Sequence, residues 1–452
     1  MNKITLYCVS VNPRLDYAAR YIFENLMGLS LRWTSSEEEF SAAGNTAKIL
    51  LQNGTSAVVS GLLDNRTNAA VSEAPSLYVD NWILYPSDEI ISADELENKW
   101  QNVMFPAPPI ADSMRLLDFD IFSAIFFLLS RYEEYRAKTP HDNYGRFPAT
   151  SSYLYKTDTL QKPVINIWAS ILREKLQHIY PALKFTLPPF EIFPTIDIDH
   201  GFLVKNKPFY KQLGGLVKHP EQFNTRLSVL LGLRQDPYFN VESIVKLHRS
   251  LGLKSKLFFH CADYKNGIDN ANTLPSKKYV ELLKNYKEME DVEVGLHLSY
   301  NAALSNNSTL AQNEKSLLEN FASNKIYSNR CHFLMFTLPQ TYQMIEHLGI
   351  IDDYTMGYAD QPGFRAGCCT PFHWYDLAAE RKTSLKIFPL TCMDATFSRY
   401  LHCTWDEAFE KMTELREKVR IMNGVFIPLF HNETFALGDK KLFQLYENLL
   451  SE

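Results

Sequence analysis

A chain of 452 residues, 46% hydrophobic and 22% charged, has the length for two or three domains and the composition of an ordinary soluble globular protein. Its formal net charge of −6, with no basic block, argues against a nucleic-acid-binding surface as the main function. The amino terminus shows no charged leader followed by an apolar core, no apolar run reaches the ~20 residues of a membrane span, and seven scattered cysteines do not make a disulfide framework. A cytoplasmic protein is therefore expected, with Cys368 and Cys369 as reduced thiols near a turn.

In chain order, ITLYCVSV predicts a strand and YAARYIFENLMGL, with apolar residues at helical spacing, a helix. AKILLQNG and SLYVDNWILYP read as strand and turn segments, so this part is a small α/β layer. From 117 to 180 the pattern is helical. DFDIFSAIFFLLSRYEEYRA predicts a buried helix with a charged end, and PVINIWASILREKLQHIYP an amphipathic helix, with the turn-rich HDNYGRFPATSSYLY between them. Arg131, Glu133, Glu134 and Arg146 read as interdomain or surface pairs. The proline-rich KFTLPPFEIFP (184–194) marks a joint, giving an N-terminal domain at 1–188 and a second domain at 189–452.

Beyond the joint, strand-like runs alternate with helices: IFPTIDID, SKLFFHCAD, VEVGLHLSY, RCHFLMF, IDDYTMGYA, SLKIFPLTC and VFIPLFHNE. Repeated β-α units of this kind predict a parallel sheet or a (β/α) barrel.

The chemistry-bearing residues fall at the ends of these runs. In PTIDIDHGF (194–202), side chains alternate across the strand, so Asp197 and Asp199 share one face. Two carboxylates this close disfavour joint ionisation, and one pKa should rise. A divalent cation would remove the conflict, one aspartate ligating it and the other staying free as a base. VEVGLHLSYN (292–301) and VFIPLFHNE add His297 and His431 at two more strand ends. Imidazole and carboxylate together suit Zn²⁺ or a similar ion. Arg330 in RCHFLMF and Arg365 in GFRAG could hold an acid in place, and Asp394 in PLTCMDATF could orient a histidine or an arginine.

The order of these motifs over residues 190–452 resembles the polysaccharide deacetylase (NodB-homology, carbohydrate esterase type) superfamily. FFLLSRYEEY and HDNYGRFPATSS look like the N-terminal part of its bacterial subgroup with an additional N-terminal domain. The resemblance implies a C-terminal distorted (β/α)7 barrel preceded by a smaller α/β domain. It implies Asp197 as catalytic base and Asp199 as metal ligand, although TIDID carries one inserted residue between them. His297 matches the first of two ligating histidines. Asn301 stands where the second belongs, and His332 is the candidate to complete the shell. The arginine that orients the base is Arg330 or Arg365, with Arg365 preferred, and PLFH makes His431 the general acid. The implied cofactor is a divalent metal, Zn²⁺ or else Co²⁺, Ni²⁺ or Mn²⁺. The implied partner is an acetylated saccharide or glycan precursor, which the chain would deacetylate. Two rival readings follow from Asn301 and from the scaffold: a non-catalytic saccharide-binding protein, and a hydrolase of a non-sugar amide C–N bond.

Overall fold

The computed structural model describes residues 2–8, 10–44, 46–51, 121–135, 140–207, 209–262, 268–436 and 440–451. The predicted segment SLYVDNWILYP lies outside them, as do the ends of AKILLQNG, SKLFFHCAD and DFDIFSAIFFLLSRYEEYRA. The strands in chain order are β1 (Lys3–Tyr7), β2 (Ser30–Thr34), β3 (Ala47–Leu50), β4 (Glu191–Ile192), β5 (Thr195–Ile198), β6 (Ser255–His260) and β7 (Val292–Leu298). There follow β8 (Ser328–Cys331), β9 (Asp352–Asp353), β10 (Phe372–Asp376), β11 (Arg381–Ile387), β12 (Cys392–Met393), β13 (Val425–Phe426) and β14 (Pro428–His431).

The first three strands form a parallel sheet in the order β2-β1-β3. The helix Pro13–Arg20 follows β1. Proline suits its first turn, and the Asn12 side chain caps it by accepting the Leu15 N–H at 2.9 Å.

Beyond residue 190 a nine-stranded sheet runs β10-β11-β9-β8-β7-β6-β5-β14-β12. All neighbouring pairs are parallel except the β10–β11 hairpin. Every residue of β5 and β6 is buried, as expected of parallel strands covered on both faces. Helix Val241–Ser250 packs on β6, and Lys277–Tyr286 and Ser308–Ala322 pack on β7. The α/β class is as expected. Ring closure is not seen among the described residues: the end strands β10 and β12 do not pair with each other. Two features leave the edges open. β12 is only two residues long, and the other edge is occupied by an antiparallel hairpin that the sequence pattern did not reveal.

That hairpin is where the N-terminal part docks. The helix Ile121–Leu129 is buried along its whole length. Its Phe126 meets Tyr375 of β10 edge-on at 5.0 Å, and the Tyr17 hydroxyl donates to the His373 carbonyl at 2.6 Å. Arg14 Nε donates to Glu380 Oε2 at 2.9 Å, in the turn between β10 and β11. Each large apolar side chain covered in this way contributes about 1.5–3 kcal/mol relative to exposure. Among the described residues no helix is long and apolar enough to cross a membrane.

Candidate metal centre

Register alone gathers the site. Parallel pairing sets His431 of β14 beside Asp197 of β5, His260 of β6 beside His297 of β7, and His297 beside Arg330 of β8. These residues stand at the carboxyl ends of adjacent strands, where open α/β sheets place their ligands. Asp199, two residues beyond Asp197, stays on the same face: His297 Nε2 lies 3.6 Å from Asp197 Oδ2 and 3.1 Å from Asp199 Oδ1. The other Asp199 oxygen lies 3.6 Å from His332 Nε2 and 3.8 Å from His431 Nε2.

Three rings therefore point Nε2 at one carboxylate, and each is held by its Nδ1. His297 Nδ1 is 2.8 Å from the Arg330 carbonyl oxygen, His332 Nδ1 is 3.0 Å from Asp269 Oδ1, and His431 Nδ1 is 2.7 Å from Asp394 Oδ1. Asp394 also accepts the His431 backbone N–H at 2.8 Å and the Thr434 hydroxyl. Fixing Nδ1 by a carbonyl or carboxylate is how proteins orient metal-binding imidazoles. The donor atoms of Asp199, His297 and His332 all lie within 4.8 Å of one another. His297 Nε2 and Asp199 Oδ1 are buried without a hydrogen-bond partner. A set of two imidazoles and one carboxylate with unsatisfied, converging atoms fits Zn²⁺ or a similar ion.

The electrostatics follow from what each group faces. Burial alone would raise the Asp199 carboxyl, but His332, His297 and His431 hold it well below the usual carboxylate range. At this aspartate the shift thus runs opposite to the rise expected for one of two neighbouring carboxylates. Burial works against the His332 imidazolium, yet Asp199 and Asp269 outweigh it and lift His332 to about 9. His431 is likewise penalised by burial and lifted, chiefly by Asp394, to about 10.

Two expectations are corrected here. The arginine on Asp197 is Arg330. Its Nη1 donates to Asp197 Oδ1 at 2.8 Å and to Thr195 Oγ1 at 2.9 Å, and its Nε donates to the Tyr354 carbonyl at 3.0 Å. The fully buried guanidinium stacks over Phe258 at 4.6 Å. Arg365, preferred from the sequence, is instead held by Glu134 through bonds of 3.0 and 2.6 Å. Asn301 meets the cluster through its backbone: its N–H donates to Asp269 Oδ2 at 2.8 Å. His332 supplies the second imidazole beside His297.

Sequence reasoning missed His260 and Asp269. His260 ends β6 in SKLFFHCAD, the same strand-end position that singled out His297, so the signal was there to read. Asp269 lies outside any strand, and nothing in its spacing announced it. Past His332 the backbone turns sharply, with Phe333 at φ +61° and Leu334 at φ +52°. Arg146 braces this turn, donating to the Phe333 carbonyl at 2.9 Å and to the Tyr400 hydroxyl at 3.3 Å.

Residues 4–181 match the model of a family of unknown function (DUF7033). No curated protein matches the chain. Among solved structures, a protein of Mycobacterium smegmatis assigned as a polysaccharide deacetylase is 11% identical with a TM-score of 0.39, covering 58% of this chain and 83% of its own. PuuE allantoinase has the same identity and coverages and a TM-score of 0.38. The family 4 carbohydrate esterase of Streptomyces lividans, in complex with acetate, is 7% identical with a TM-score of 0.29, covering 57% of this chain and 87% of its own. Likeness at this level is too loose to position a side chain.

Proposed function

We propose that the protein is a metal-dependent hydrolase that removes the acetyl group from an N- or O-acetylated saccharide. The observation that carries this reading is the convergence of His297, His332 and His431 on Asp199, with Asp197 beside them and held by Arg330. Asp199, His297 and His332 would hold the ion. When bound, a divalent cation polarises an acyl carbonyl and makes a nearby water more acidic.

The remaining roles belong to side chains. Asp197, fixed through Oδ1 by Arg330, presents Oδ2 on the His297 side and accepts the proton of the attacking water. His431, kept protonated by Asp394, donates a proton to the departing amine or hydroxyl. Asp394 fixes the tautomer and direction of that ring. The products are acetate and a free amino or hydroxyl group.

The test is acetate release from a panel of N- and O-acetylated sugars, with small non-sugar amides as the comparison. Chelation should abolish release and Zn²⁺ should restore it. Asp197→Asn should lose at least about 100-fold in rate, within the range of a lost general base, while elemental analysis finds its metal content unchanged. Metal lost along with activity in that variant would show that the two aspartates have exchanged roles. Turnover of amides but not of acetyl sugars would move the substrate class.

A further inference from the structure

On the far side of His332 a second set of donors converges. His260 is fully buried, and its Nδ1 lies 3.2 Å from the His297 carbonyl oxygen. A carbonyl accepts, so the proton belongs on Nδ1 and Nε2 carries a bare lone pair. That Nε2 has no hydrogen-bond partner, and it faces Asp269 Oδ1 across 3.6 Å. Two acceptors confronting each other in a buried pocket are unfavourable unless something positive lies between them.

Asp269 cannot easily turn away. Its Oδ1 accepts the Tyr300 N–H at 2.9 Å and its Oδ2 accepts the Asn301 N–H at 2.8 Å. His332 Nδ1 lies 3.0 Å from the same Oδ1, and the donor atoms of His260, Asp269 and His332 all lie within 4.8 Å of one another. We propose that these three residues form a second, inner divalent-cation position of N,N,O donors. It shares His332 with the outer centre and is filled in alternation with it.

The alternation is a matter of tautomers. A neutral imidazole has one lone pair and one N–H. With the lone pair on Nε2, His332 serves the outer ion and its Nδ1–H donates to Asp269. With the lone pair on Nδ1 it serves the inner ion, and its Nε2–H turns to Asp199. The alternation rests on the proposed outer centre, whereas the inner position itself does not.

The experiment titrates the metal-free full-length protein with Co²⁺, reading visible absorption bands and bound equivalents. Wild type should bind one equivalent. His297→Ala should also bind one, with a shifted spectrum from the inner donors, and His260→Ala one at the outer centre. The double variant, which lacks one ligand at each position, should bind at least about 100-fold more weakly, since losing even a group that supports a ligand costs about 10–100-fold. Circular dichroism checks folding, and His260→Gln replaces His260→Ala if the latter fails. If wild type binds one equivalent and His297→Ala binds none, the inner position is refuted and the hydrolase reading stands. If His297→Ala keeps the ion and His260→Ala loses it, the inner position stands and the outer centre falls. Equal binding by His297→Ala and the double variant also refutes the inner position.

Discussion

What a histidine does in this chain depends on what its two nitrogens face. His332 and His431 face carboxylates and are lifted to about 9 and about 10. His248 faces only neutral groups: its Nδ1 lies 2.8 Å from the Ser255 hydroxyl and its Nε2 2.8 Å from the Tyr446 hydroxyl. Burial pushes it down from 6.5 to about 3. The unfolded chain therefore takes up a proton at this site that the folded chain refuses. The associated stability is fully present above pH 6.5 and is lost as pH falls toward 3. Between pH 6.5, where the unfolded ring is already half protonated, and about pH 4.5 the loss amounts to about 2 kcal/mol. In His248→Gln, which cannot titrate, the fall in urea-unfolding free energy over that interval should be shallower by about this amount. An unchanged slope would mean that the ring is not the proton acceptor.

At the scale of strands, the site is a product of register, which is why so much of it was legible. Asp197, Asp199, His297 and His431 were found because each follows a recognisable apolar run, and parallel pairing then aligns those ends. The choice between Arg330 and Arg365 was not legible. Arg330 opens an apolar run and Arg365 sits in a glycine-flanked turn, and only the fold shows that β8 neighbours β7 while Arg365 sits in a loop turned toward Glu134. The β10–β11 hairpin was hidden for a similar reason. β11 alternates from Thr383 to Ile387, and its SLKI reads as strand, but β10 is buried at every residue except His373 and so lacks the alternation of a half-exposed strand. Gly295, in the middle of β7, shows how strand packing reaches the chemistry. A Cβ there would lie 2.6 Å from the Phe258 ring, the ring on which Arg330 stacks while holding Asp197. Gly295→Ala should cost about 1–3 kcal/mol through overpacking, and it should lower the rate of acetate release more than it raises KM. A stable, fully active Gly295→Ala would show that the Phe258–Arg330 stack is dispensable.

At the scale of the whole molecule, the charged residues that read as interdomain or surface pairs have buried side chains, and they link the segments before and after residue 188. Glu134 accepts from Arg131 Nε at 2.7 Å and from Arg365 at 3.0 and 2.6 Å, and Glu133 accepts from Arg131 at 2.7 Å and from the Tyr153 N–H at 2.8 Å. Glu133, Arg131 and Arg365 are each no more than 2% exposed. The Arg365 guanidinium also lies over Phe336 at 4.2 Å and Tyr358 at 4.7 Å. This network ties the segment after helix Ile121–Leu129 to the loop between β9 and β10. A buried ion pair adds little net stability over apolar residues of equal volume, but removing one partner strands the other charge. Glu134→Gln should therefore cost about 3–5 kcal/mol, whereas the double variant Glu134→Leu/Arg365→Met should recover much of the loss. Because the network and the Phe126–Tyr375 contact join both parts of the chain, urea unfolding followed by fluorescence and by circular dichroism should give coincident single transitions in wild type and in Glu134→Gln. Two separate transitions in wild type, or a Glu134→Gln loss below about 1 kcal/mol, would mean that the two parts fold independently and that this network does not couple them.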